Sequence, residues 1–290
     1  MTTDPREGVD AAGYLTTGAD RARIVAPFAS VVADCAETLR RELSAGLHSL
    51  YAYGSVATGQ ATPRRSDLDL YAVVADDAAA GHCTQLGIEL SDRHRDVVRD
   101  VGIARITLEQ LYASGDTGPA DRCFLKHYCV NIGGPDLRPE LPACRPTPTL
   151  AREFIGDLAG TVELFRQRLA GGADVAGPVA RKLLRSAAVH FSVEDGGWST
   201  AGRVGADLIA ARCPRYAATV ETILPWSQPS PDGLVATPEE VRAVLDGLGR
   251  WLVSRISTAW VAVDDADPSR LTRDLTDFLT ASDWPYHVGG

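Results

Sequence analysis

The stretch Tyr51–Val74, YAYGSVATGQATPRRSDLDLYAVV, holds two apolar runs; a Gly54-Ser55 turn leaves the first, and Asp67 and Asp69 interrupt the start of the second. An ionised side chain rarely enters a buried strand unpaired. Residues two apart on a strand share a face, so Asp67 and Asp69 project together while Leu68 and Leu70 turn to the opposite side and pack into a core. Two carboxylates that close repel, and the pair is costly unless a cation lies between them. Magnesium and similar hard divalent ions take such oxygen ligands together with substrate phosphates. The small residues Gly54 to Gly59, GSVATG, let backbone amides approach a phosphate chain closely, with the Ser55 hydroxyl as a further donor. The bland alternatives are a plain chain reversal and an aspartate pair that is solvated or bridged to Arg64 and Arg65. Occurrence in this order on consecutive predicted strands favours a phosphate cradle beside a metal pair.

Outward from this stretch, apolar residues at Ile24, Phe28, Val31, Cys35, Leu39 and Leu43 predict an amphipathic helix that leads into a strand from Ser49 to Tyr53. A strand from about Asp67 to Val74 follows, then a helix within Asp76–His94 and a third strand from Val97 to Ile106. Alternating strands and helices imply a mixed sheet with flanking helices. Residues 1–21 are small, polar and aperiodic and read as a flexible tail. The Pro- and Gly-rich stretch from Gly133 to Pro148 marks a boundary, which gives a first domain over 22–140 and a second over 149–290.

The second half reads as helical, so the fold class is α+β with a C-terminal helical bundle. Its predicted helices are Leu150–Leu169, Val179–Phe191, one opened by a capping box at Thr237 to Glu240, and a last one from Asp267-Pro268 to before Trp284.

The chain has 290 residues, a formal net charge of −9 and a pI near 5.2. Such acidity argues against a protein that grips extended nucleic acid by bulk electrostatics. No apolar run approaches membrane-spanning length and the N-terminus has no signal-peptide pattern, so the expectation is a cytoplasmic protein without a membrane partner. The six cysteines are scattered without zinc or disulfide spacing and read as buried thiols. His127 and His190 lie in apolar surroundings and read as core or rim residues. The five tryptophans all fall in the helical half, and Trp198 sits in a loop where it could flank a pocket.

The arrangement Tyr53-Gly54-Ser55, eleven residues, then Asp67-Leu68-Asp69-Leu70 resembles the signature of the DNA polymerase β-like nucleotidyltransferase superfamily. The layout, with Leu125-Lys126-His127 and Gly134-Pro135-Asp136-Leu137, is also similar to bacterial aminoglycoside adenylyltransferases. The resemblance implies that Gly54 and Ser55 bind a nucleoside triphosphate, ATP or another, and that Asp67 and Asp69 bind Mg2+. It implies a third carboxylate on a following strand, for which Asp100 is the first candidate and Asp96 and Glu89 the runners-up; the alternative pairs Asp100 with Arg99 or Arg105. Asp67, Asp69 and Asp100 are thus the expected catalytic and metal residues. Lys182 and Arg185, three apart on a helix, are the expected partners of the departing pyrophosphate.

The expected reaction moves AMP from ATP to a hydroxyl of a small molecule. An acidic chain suits a cationic, aminoglycoside-like acceptor and so antibiotic resistance, with Glu194 and Asp195 among the carboxylates available to its amines. Alternatives are a toxin-type enzyme that modifies a protein or tRNA and a silent nucleotide- or partner-binding module.

Overall fold

The computed structural model describes residues 6–112, 119–227 and 236–266, with side chains to residue 260. A two-stranded hairpin, β1 (Gly8–Val9) and β2 (Leu15–Thr16), precedes helix α1 (Phe28–Leu43). Strand β3 (Leu47–Tyr53) runs into a five-residue helix α2 (Gly54–Thr58), then come β4 (Leu68–Val74), α3 (Asp77–His94), β5 (Val101–Thr107), α4 (Leu108–Tyr112), α5 (Pro119–Tyr128) and β6 (Val130–Gly133). The sheet order is β5-β4-β3-β6, with β4 and β5 parallel and the other pairs antiparallel, as the mixed-sheet reading requires.

Alternation along β3 and β4 sorts the core into two layers. Leu50, Ala52, Leu68, Leu70, Ala72 and Val74 face α1 and α3, against Val31, Cys35, Leu39, Cys83, Leu86 and Leu90. Tyr51, Tyr53, Tyr71 and Val73 face the other way, into one apolar cluster with Phe124 and with Phe154, Val162, Leu183 and Ala187 of the following helices. Asp69 has the parity of Tyr71 and Val73, so it looks toward that second layer.

From residue 148 to 266 every regular element among the described residues is helical: α6 (Pro148–Ile155), α7 (Leu158–Ala170), α8 (Ala176–Glu194), α9 (Gly202–Arg212), α10 (Ala217–Trp226), α11 (Pro238–Val244) and α12 (Arg250–Ala266). The single helix expected over Leu150–Leu169 is two. Gly156 takes φ +60° after α6, and Asp157 caps α7 by accepting from the Gly160 amide at 2.8 Å. The capping box at Thr237 and Glu240 is present, and a π turn at Leu245–Gly249 joins α11 to α12. The helix expected from Asp267 lies outside the described residues.

Four further expectations are corrected. Residues 6–21 are not loose. Leu15 is buried, and Glu7 accepts hydrogen bonds from Tyr128 Oη (2.8 Å), Thr200 Oγ1 (2.7 Å), Ser199 Oγ (3.0 Å) and the Thr200 amide (3.0 Å). Helix α1 starts at Phe28 because Pro27 takes the cap position. The third strand starts at Val101, since the amides of Val97 and Val98 close the end of α3 on the His94 carbonyl and the Leu68 amide opens the β4–β5 ladder on the Asp100 carbonyl. The four-residue β6 was not expected; it pairs with β3 and begins the linker. That linker is docked by Ser49 Oγ and Tyr51 Oη donating to the Pro135 carbonyl (2.6 and 3.4 Å) and by the Leu137 amide donating to Tyr51 Oη (2.9 Å). Gly134, at φ +70°, is required there: a Cβ would lie 2.3 Å from the His48 carbonyl oxygen.

Candidate active site

The candidate site lies where β3 ends and β4 begins. Tyr53 pairs with Asp69 in the antiparallel register, so the first residue of α2 abuts the aspartate. Gly54 has φ +68°, and a Cβ built there would stand 2.4 Å from Asp69 Oδ2. Both the backbone angle and the approach of the carboxylate require glycine. The Gly54-Ser55 turn is thus the opening of a short helix, which Gly59 ends in the left-handed conformation.

Asp67 stands just outside β4 and Asp69 one pleat further in, on the same face, as the two-residue period dictates. Burial and the neighbouring Asp67 charge push the Asp69 carboxyl up to about 7, against which the Arg185 and Arg99 charges act. Burial also raises Asp67, although the Arg99 guanidinium opposes it. Arg99 grips both Asp67 oxygens, Nε donating to Oδ1 at 2.7 Å and the second nitrogen to Oδ2. The salt bridge expected as the bland alternative therefore exists, with Arg99 rather than Arg64 or Arg65.

Asp100 stands one residue before β5, as Asp67 stands one residue before β4, and its charge reaches both aspartates. Its carboxylate is held elsewhere: Oδ1 accepts from Ser91 Oγ (2.5 Å) and from the Val101 amide (2.9 Å). Asp67, Asp69 and Asp100 are not drawn into one close group of donors among the described residues. The position beside Asp69 on β5 is Gly102, where a Cβ would meet Asp69 Oδ1 at 3.8 Å. Asp96 is exposed after α3, and Glu89 is exposed on α3 with Gln85.

Helix α8 brings its basic residues to this face, with a change of partner from the sequence reading. Arg181 acts on Asp67 and Arg185 on Asp69. Lys182 instead donates Nζ to the Ile155 carbonyl at 2.7 Å, and burial lowers its ammonium to about 8. Arg181 and Arg99 were missed as site residues; Arg181 stands four positions before Arg185, a one-turn spacing that could have flagged it.

Other expectations resolve into structure. Trp198 is buried, donates Nε1 to Tyr128 Oη at 2.6 Å and meets Phe154 edge-on at 4.9 Å. His190 is buried on α8 beside Phe191. Glu194 and Asp195 are engaged by arginines, Glu194 with Arg255 at 2.8 Å and Asp195 with Arg212 at 2.5 Å. The cysteines are not all scattered: Cys123, His127 and Cys144 come together.

The sheet order, Asp67 and Asp69 at the start of β4 and the helices beyond make up a fold that has a solved counterpart. A solved structure of the spectinomycin adenyltransferase AAD(9) from Enterococcus faecialis, with ATP and spectinomycin, shares it: the match covers 76% of this chain and 98% of that one, with a TM-score of 0.52 and 14% identity. No protein-family profile matches the chain. No curated protein matches it in sequence either.

Proposed function

We propose that the chain is a nucleotidyltransferase that moves AMP from ATP onto a hydroxyl of a small, cationic, aminoglycoside-like acceptor and releases pyrophosphate. The observation that carries this reading is the meeting of three parts at one strand end: the Asp67–Asp69 pair, the Gly54 backbone against Asp69, and the Arg181 and Arg185 charges from α8. The neighbour's ATP and spectinomycin support the nucleotide and the acceptor class, and the net charge of −9 suits a polyamine acceptor.

In this reading Gly54 and Ser55 line the triphosphate, and Arg181 and Arg185 compensate the charge of the leaving pyrophosphate. Asp67 and Asp69 would hold Mg2+, for which an all-oxygen pair fits, and the ion would supply charge neutralisation at the entering and leaving oxygens. Asp67 first exchanges its Arg99 partner. The acceptor oxygen bonds to the α-phosphorus as the bond to pyrophosphate breaks, and the hydroxyl proton leaves to a base. Asp100, turned from Ser91, is the proposed base and third carboxylate; Lys182 acts by bracing α8 on Ile155 rather than by touching phosphate. The same proposal assigns 22–140 to catalysis, 149–290 to a helical domain and the protein to the cytoplasm. Among the described residues no helix is long and apolar enough to cross a membrane.

Gly102 beside Asp69 and the Ser91 grip on Asp100 favour a second reading, a module that binds nucleotide without transfer. Labelled ATP, Mg2+ and a panel of hydroxyl acceptors separate the two. Transfer that Asp67→Ala and Asp69→Ala both abolish supports the enzyme, and transfer that survives both sinks the metal-pair mechanism. Nucleotide binding with no pyrophosphate release from any acceptor establishes the module.

A further inference from the structure

Outside the carboxylate site, the connecting segment before α6 brings a third sulfur- or nitrogen-bearing side chain onto α5. Cys123 and His127 are four apart on α5 and therefore share a face. Cys144 arrives from the segment that follows β6, and one donor atom from each of the three lies within 4.8 Å of the others. The approach is pinned from both sides. The Cys144 amide donates to His127 Nε2 at 2.9 Å, and the Cys144 carbonyl accepts from the Leu15 amide at 2.8 Å. Thr17 Oγ1 in turn donates to the His127 carbonyl. Cys123 is fully buried, whereas Cys144 is half-buried and provides the way in.

We propose that Cys123, His127 and Cys144 form a site for a divalent transition metal, with zinc as the ion whose tetrahedral sites use this donor set. Two thiolates and an imidazole are the donor set of three-ligand zinc sites, with the fourth position left to solvent or to a nearby carboxylate. Glu153 on α6 is that carboxylate, close enough for its charge to act on Cys123. Binding exchanges the Cys144 amide bond at Nε2 for a coordinate bond, and the Cys123 and Cys144 thiols release their protons to solvent. The metal would staple the linker and the N-terminal hairpin segment to α5, where the sheet half meets the helical half. It shares no residue with the carboxylate site.

The test uses the full chain, stripped with chelator under reducing conditions and titrated with zinc or cobalt. The site predicts one equivalent of tightly held zinc by elemental analysis, and tetrahedral cobalt with thiolate-to-metal charge transfer. Cys144→Ser, at the half-buried position where folding is least at risk, and His127→Asn should each bind at least about 100-fold more weakly. Cys213→Ser, outside the cluster, should bind as the native chain does, and zinc should raise the melting temperature of the native chain and of Cys213→Ser only. Failure to take up zinc, cobalt without thiolate charge transfer, or unchanged binding in folded Cys144→Ser overturns the proposal. So does the finding that the stripped, air-exposed chain loses two thiols to a Cys123–Cys144 disulfide while the reduced chain binds no metal.

Discussion

Replacing Asp69 with Asn should abolish transfer and at the same time stabilise the metal-free protein. The folded carboxyl sits at about 7 against an ordinary 3.8, a difference of about 3 pH units, or about 4 kcal/mol at ~1.36 kcal/mol per unit as a ceiling. Partial exposure of the carboxyl reduces this to about 2 kcal/mol, equivalent to about 4 °C in melting temperature for a chain of this size. The sign follows from linkage. Below pH 4 both states hold the proton and the substitution is neutral. Between pH 4 and 7 the unfolded chain has ionised while folded Asp69 keeps its proton, so native stability falls; above about 7 the loss is complete. The gain from Asp69→Asn should thus be about half developed near pH 5.5 and full at pH 8, read by thermal denaturation in chelator. Added Mg2+ and ATP should raise the melting temperature of the native chain and leave Asp69→Asn unmoved. A substitution that destabilises at pH 8, or whose effect is flat with pH, refutes the placement of Asp69 as a strained ligand awaiting a cation.

Three further outcomes follow from the same geometry. Gly54→Ala places a Cβ 2.4 Å from Asp69 Oδ2 at φ +68°, and should cost about 1–2 kcal/mol with at least a 100-fold loss of kcat/KM; Gly196→Ala, at φ +75° in open space, should cost stability alone. Arg99→Ala frees Asp67 from a partly exposed pair worth about 0.5–1 kcal/mol, so Mg2+ should bind about 2- to 5-fold more tightly by calorimetry, and weaker binding would make Arg99 part of the phosphate cradle instead. Glu7→Ala removes the carboxylate that accepts from Tyr128, Ser199 and both Thr200 donors and should lower stability by about 2–4 kcal/mol in denaturant titrations, where a loss below about 0.5 kcal/mol would return residues 6–21 to a loose tail.

Much of the candidate site was legible because its signals are local. The period of two in LDLYAVV puts Asp67 and Asp69 on one face and Leu68 and Leu70 on the other, whatever the sheet order. A glycine before a small-residue run signals a special backbone angle, and Thr237 to Glu240 announce a helix start through bonds made within four residues. The layers of α+β structure follow from the same short-range periods. By contrast, VNIG is too short to read as a strand until β3 offers it a partner, and Gly156-Asp157 is hidden inside a continuous apolar pattern because the i, i+4 spacing survives the break.

The remaining features depend on segments that meet only in the fold. Sequence alone determined which residue types stand at the strand ends and on which side of the sheet they point, since backbone geometry dictates that over a few residues. Tertiary structure decided their partners. It turned Arg181 rather than Lys182 toward the aspartates, gave Asp67 to Arg99 and Asp100 to Ser91, anchored residues 6–21 through Glu7, and carried Cys144 to Cys123 and His127. These pairings are decided by how α3, α5, α8 and the linker pack on the two sheet faces, and burial there, not spacing along the chain, sets which charges and thiols lie close enough to act on one another.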